Sequence, residues 1–228
     1  MINYFLSAID YIVDENKVPY FLDGKIRDLI VTLSISEKGL LIKKILASKN
    51  TSRVLRFFNQ NNTLSNILPY LSILKRVKQN KGRSKNAYEH TLRVIEKVPN
   101  DNTLLKTVAL FHDFGKYDCW VKRENFYRHA EYSTYICRDL CKLYNISQSE
   151  EICAIVSGHM YPLDYQRRPD WTDKAIIRFI DRVGKEYALN IIKFACYDKR
   201  AEHDIDEYIM PILELEKRTK KILESNYV

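Results

Sequence analysis

Apolar residues recur along this chain at intervals of three and four, and that periodicity constrains its fold more than any other feature. Leu29, Ile30 and Leu33 fall at helical spacing, as do Leu41, Ile42, Ile45 and Leu46. Side chains so spaced share one face of an α-helix, and that face must be buried against another element. Strict alternation of apolar and polar residues, the mark of a half-buried strand, is scarce. Only 6 Gly and 6 Pro stand among the 228 residues, too few for a turn-dense sandwich or barrel. A hydrophobic content of 46% is ample for a core. The expected fold class is therefore all-α.

The punctuation supports this reading. Thr51-Ser52 is expected to cap a short helix through Phe57-Phe58, and Thr63 another that stops near Pro69. Ser84 or Asn86 starts a helix that carries His90 and runs until Pro99. Asp101 or Asn102 caps the next, over 104–114, which Gly115 stops. Further helices are expected near 129–144, 147–158, 172–182, 184–202 and 205–226. Residues 75–85, KRVKQNKGRSK, are basic and contain Gly82. They read as an exposed connection, either solvated or anion-binding, and as the boundary between a helical subdomain over 1–80 and a second unit over 81–228.

The formal net charge of +8 favours an anionic partner such as RNA or a nucleotide. The 5 cysteines, Cys119, Cys137, Cys141, Cys153 and Cys196, form no CxxC pair. They read as reduced, mostly buried thiols, with Cys137 and Cys141 one turn apart on a helix. Residues 1–12 lack a cationic start and a long apolar run, so no signal peptide is expected. No apolar stretch approaches the ~20 residues of a membrane span. The expected location is cytoplasmic, with no membrane partner.

Chemistry concentrates on few residues, because the chain has only 5 histidines: His90, His112, His129, His159 and His203. A His-Asp dipeptide arises by chance in roughly one such chain in three. The context of His112-Asp113 says more. It follows Val108-Ala109-Leu110-Phe111 and precedes Phe114-Gly115-Lys116. Neighbouring residues point about 100° apart on a regular helix. They converge on one ion most easily where a helix ends, and Gly115 supplies an ending. His90 lies one helix upstream and Asp198 on a helix far downstream. Two imidazoles and two carboxylates suit Mn, Fe, Co, Ni or Zn better than a soft thiolate metal. Open positions on such an ion take water and substrate oxygen, and the bound water's pKa falls toward about 7.

The order His90, His112-Asp113, His129, His159, Asp198 resembles the HD superfamily of metal-dependent phosphohydrolases. The segments Ala109-Leu110-Phe111-His112-Asp113-Phe114-Gly115-Lys116, Phe126-Tyr127-Arg128-His129-Ala130-Glu131 and Ser157-Gly158-His159-Met160 are similar to the HD domain of bacterial CCA-adding tRNA nucleotidyltransferases. So is Arg178-Phe179-Ile180-Asp181-Arg182-Val183-Gly184. Residues 42–69, through Ser48, Leu55 and Phe58, resemble the helical neck and body of those enzymes. Their nucleotidyltransferase head, with its Gly-Ser stretch and paired aspartates, has no counterpart here. Asp23-Gly24-Lys25-Ile26-Arg27-Asp28 is only a superficial match to part of it. CCA addition is therefore not expected, and the likeness transfers the hydrolytic part alone.

The resemblance implies an HD-domain helical bundle preceded by a small neck/body-like subdomain. It implies that His90, His112, Asp113 and Asp198 hold one divalent ion, with Mg added to the candidates above. His129 and His159 then either hold a second ion or face the phosphate. Lys116 sits where the family's motif places a lysine, as a point charge on phosphate or leaving oxygen. Asp113 and Lys116 are the expected catalytic pair, and Lys116, Arg128, His129 and His159 the expected substrate contacts. His203 reads as surface, Asp118 and Asp164 as loop residues, and Arg167 and Arg168 as a solvated face. The expected activity is hydrolysis of a nucleotide or RNA phosphate ester, by family likeness a 2′,3′-cyclic phosphodiester or 2′-phosphate. The alternatives are a tRNA- or RNA-binding module with a structural or vestigial metal site, and an HD enzyme for another phosphate.

Overall fold

The structure, a computed structural model, describes residues 26–81, 84–123, 125–203 and 205–225, together with Asn3, Leu6 and Ser7. It is a helical bundle, as the periodicity requires. The N-terminal helices are α1 (Ile26–Val31), α2 (Ile35–Ala47), α3 (Thr51–Gln60), α4 (Leu64–Ile67) and α5 (Pro69–Ile73). A two-stranded antiparallel hairpin follows, β1 (Lys78–Lys81) and β2 (Ser84–Asn86). Then come α6 (Ala87–Lys97), α7 (Thr103–Phe111), α8 (Lys116–Arg123), α9 (His129–Leu143), α10 (Ser149–Gly158), α11 (Tyr161–Arg167), α12 (Asp173–Val183), α13 (Lys185–Glu202) and α14 (Met210–Glu224). Among the described residues no helix is long and apolar enough to cross a membrane.

Local chemistry explains the boundaries. Ser34 and Glu37 close a reciprocal capping box at the start of α2. Asn86, Asn102 and Thr172 cap α6, α7 and α12 by accepting from the amides of Glu89, Leu105 and Ala175. Gly184, at φ +94°, takes the turn between α12 and α13 that a side chain would resist.

Several expectations are corrected. Thr51 lies inside α3 and caps nothing; its hydroxyl donates to the Ile45 and Ser48 carbonyls at the end of α2. Thr63 likewise donates to Phe58 O and makes no cap bond to α4. The 75–85 stretch is an exposed connection only in part: Lys75, Arg76, Lys78 and Lys85 are exposed, Val77, Gln79 and Ser84 are buried in or beside the hairpin, and Gly82 and Arg83 lie outside the described residues. The helix expected over 205–226 is a 3-10 turn, Asp206–Ile209, followed by α14 with Pro211 in its first turn. Asp118 and Asp164 sit on α8 and α11.

Buried side chains from both halves of the chain form one hydrophobic cluster, from Ile30 and Leu41 to Leu215 and Ile222. At its centre α6, α7, α10 and α13 pack on one another. Those four helices, with the turn after α7 and the starts of α8 and α9, present the polar residues described next.

Candidate metal centre

Within the apolar core lies a knot of buried polar side chains: His90, His112, Asp113, Lys116, His129, His159 and Asp198. Each arrives from a helix or its edge. His90 is on the inner face of α6, between Ala87 and Val94. Helix α7 ends at Phe111, three residues before the Phe114 expected from sequence. His112 is its C-cap and Asp113 follows in the turn. His129 opens α9 and His159 caps the end of α10. Asp198 stands on the face of α13 that also carries Ile191 and Ala195.

The distances are short. His90 Nε2 lies 2.8 Å from Asp198 Oδ1 and 3.9 Å from Asp113 Oδ2. His112 Nε2 lies 3.2 Å from Asp113 Oδ2 and 3.9 Å from Asp198 Oδ1. His129 Nε2 is 3.4 Å from Asp113 Oδ1 and 3.1 Å from His159 Nε2. Two triads result, His90–His112–Asp113 and Asp113–His129–His159, and in each the ligand atoms lie within 4.8 Å of one another. Asp113 belongs to both.

Three imidazoles are oriented the same way. Nδ1 of His112, His129 and His159 lies 2.8, 2.8 and 2.7 Å from the carbonyl of Ala109, Phe126 and Val156, each three residues back. A carbonyl only accepts, so Nδ1 carries the hydrogen and Nε2 turns into the cluster. His129 and His159 thus present two Nε2 lone pairs to each other at 3.1 Å, which is repulsive without a cation between or beside them. His90 Nε2 and His112 Nε2 sit next to carboxylate oxygens without hydrogen-bond alignment. Buried donors that face one point without bonding each other fit a divalent ion, and the mixed nitrogen and oxygen set fits a borderline one.

Protonation follows the same geometry. Burial lowers the pKa of His159 to about 3 and of His129 to about 4, so both are neutral near pH 7. Burial also lowers His90, opposed by Asp198. Burial pushes His112 down too, but Asp113 and Asp198 outweigh it and raise the pKa. Burial would raise Asp113, yet His112 and Lys116 hold it well below the carboxylate range. A cation bound here would take the place of the His112 proton beside Asp113.

The surroundings of the ligands are apolar on one side and polar on another. Phe194 packs edge-on against the rings of His112 and His159. Lys116 Nζ donates to Asp113 Oδ2 at 2.6 Å and to Gln79 Oε1 at 3.0 Å. Arg128 is placed otherwise than its expected role suggests: its guanidinium is exposed and paired with Glu131 at 2.6 Å. Its backbone does the local work, since φ of 65° turns the chain into α9 just before His129. His203 stacks on Tyr208, apart from the cluster.

Two residues were not anticipated from sequence. Glu202 forms a further acidic triad with His90 and Asp198, and its signal was available: it lies one helical turn after Asp198 on α13. Gln79, on β1, reaches Lys116, and nothing in the basic stretch around it marked it out.

This all-helical frame gathers histidines and carboxylates at its centre in groups that could hold a metal ion. The family model of the HD domain matches residues 82–186. That span holds every ligand of both Asp113 triads and Lys116, while Asp198 lies beyond it. Together the match and the cluster support an HD-superfamily phosphohydrolase; HD domains are metal-dependent phosphohydrolases in general and bind divalent ions. Compared with the curated proteins, the chain matches none.

Proposed function

We propose that the chain hydrolyses a nucleotide or RNA phosphate ester, with a 2′,3′-cyclic phosphodiester or a 2′-phosphate as the substrate. The observation that carries the hydrolytic reading is the carboxylate of Asp113, whose two oxygens face two histidine sets. In this reading His90, His112, Asp113 and Asp198 hold one divalent ion, and Asp113, His129 and His159 a second. Such ions, when bound, activate water and neutralise phosphate oxygens. The protein's own part is orientation and charge. The i−3 carbonyls fix the imidazoles, Phe194 keeps the wall apolar, and Lys116 sets a positive charge at the edge of the cluster for the phosphate or leaving oxygen.

The nucleotide or RNA choice rests on the resemblance to CCA-adding enzymes and on the net charge of +8. The same resemblance motivates a division into a neck/body-like unit over 1–80 and a phosphohydrolase unit over 81–228. It also motivates contact with tRNA, while a cytoplasmic location rests on the reading of the cysteines and of residues 1–12.

Elemental analysis of the purified protein, beside turnover of bis-p-nitrophenyl phosphate, 2′,3′-cAMP and 2′-AMP with Mn, Ni, Co or Mg, tests the reading. Metal-dependent release that vanishes in Asp113→Asn is the expected result. No release under any of these ions overturns it. In that event a tRNA gel shift that weakens steeply with salt identifies the alternative, a binding module.

A further inference from the structure

Outside the metal centre, buried thiols gather where α9 packs on α10. Cys137 Sγ lies 3.5 Å from Cys153 Sγ and 4.0 Å from Cys141 Sγ. Cys137 and Cys141 share a face of α9, and Cys153 projects from α10. Cys137 is fully buried, whereas Cys153 is 7% exposed. Cys153 lines an open surface cavity with Thr134, Arg138, Ser149 and Ser157. Of the three thiols Cys153 is the one that lines this cavity, and Cys137 Sγ lies 3.5 Å from its sulfur.

We propose that Cys153 and Cys137 are an oxidisable pair, with Cys153 attacked by a peroxide and Cys137 resolving the product into a disulfide that ties α9 to α10. The Cys153 sulfur attacks hydrogen peroxide. The O–O bond breaks, one oxygen stays on sulfur as a sulfenic acid, and the other leaves as water with the thiol proton. The Cys137 sulfur then attacks the Cys153 sulfur. An S–S bond forms, the S–O bond breaks, and the hydroxyl leaves as water with the proton of Cys137. Two thiols are oxidised by two electrons in all, and one peroxide is reduced to two waters. The sulfurs must close from 3.5 Å to about 2 Å for the bond to form. The electrostatics agree with the order of events. Hydrogen bonding with Cys137, then with Cys141, and the charge of Arg138 hold Cys153 below the usual thiol range, while its two thiol neighbours hold Cys137 above it.

The cross-link would join the helix that begins with His129 to the one capped by His159. Its chemistry is independent of any ion at those residues, so it is tested without an activity assay. The protein is treated with hydrogen peroxide, denatured, alkylated with iodoacetamide and mapped by mass spectrometry. Cys137 and Cys153 are expected to lose alkylation together and to appear as one linked peptide two hydrogens lighter. Cys119 and Cys196 should stay alkylated, and dithiothreitol should restore the pair. In Cys137→Ser, dimedone should trap a sulfenic acid on Cys153. Persistent alkylation of both thiols, faster loss at Cys119 or Cys196, or a link from Cys153 to Cys141 overturns the assignment. The wild-type map decides the matter even if the variant does not fold.

Discussion

Lys116 donates to Asp113 across 2.6 Å, and both side chains are almost wholly buried. The ammonium thus offsets the same carboxylate oxygen that faces His90 and His112. A divalent ion and the lysine compete for that charge. Lys116→Met keeps the apolar stem and removes the competition. It should bind Mn about tenfold more tightly, yet hydrolyse phosphate esters about 10- to 100-fold more slowly, as loss of one charge aimed at a transition state implies. Calorimetric titration and turnover, taken together, check the split. Full turnover in this variant would remove the lysine from the mechanism.

The histidines predict an acid-labile metal-free protein. In an unfolded chain an imidazole titrates near about 6.5. His90, His129 and His159 are lowered from that value on folding, and His112 is raised. The lowered groups contribute stability above about pH 6.5 and lose it as pH falls toward their folded values. His112 has the opposite sign: its contribution is full below about pH 6.5 and fades as pH rises through its raised pKa. Asp113, held low, contributes above about pH 4 and loses this on strong acidification. Three imidazoles outweigh one. Chelator-treated protein should therefore lose a few kcal/mol, in order of magnitude, between about pH 7 and about pH 4. Urea midpoints across that range check it, and a flat profile contradicts the burial argument.

Gly115 is where two parts of the site touch. A Cβ there would press on the His129 carbonyl oxygen and the Ser133 amide nitrogen, which are backbone atoms and cannot swing aside. Gly115 N also donates to Ser133 Oγ at 2.9 Å. Gly115→Ala should cost at least about 2 kcal/mol and move His129 away from Asp113. Ser133→Ala, which only strands one buried amide, should cost about 1–2 kcal/mol. Chemical denaturation of both, with metal content measured alongside, separates crowding from a lost hydrogen bond.

Lys106 provides a control remote from the metal centre. It is buried, and its Nζ donates to the Ser48 carbonyl at 2.7 Å, joining α7 to the end of α2. Lys106→Ala should destabilise by about 2–4 kcal/mol, the range for truncating a long buried side chain. Metal stoichiometry should stay unchanged. A matching loss of bound ion would mean that the centre depends on this distant contact.

The histidines and aspartates were legible in the sequence because imidazoles are rare in it and each stands at a helix edge or on an apolar face, where periodicity could place it. Asn86 and Asn102 announced α6 and α7 through their caps. Gln79 was hidden for a physical reason: a four-residue strand has too little pattern to be read, and its burial comes from packing between distant segments. Helix α11 is not among the helices expected from sequence; its seven residues are short for a periodic signal, and Pro162 stands in the first turn, where it leaves every hydrogen bond of the helix intact. The end of α7 at His112 came earlier than Gly115 suggested, because the chain turns at the His-Asp pair itself. Glu202 was overlooked although its spacing from Asp198 was plain.

The carbonyl tethers behind His112, His129 and His159 make each ring an extension of its own main chain. Such rings do not swing on the nanosecond scale of free side chains. For these three rings a change of spacing follows movement of the helices that carry them, a slower and more collective motion. Its tempo is set by the packing of α7, α9 and α10 rather than by the flexibility of the rings they carry.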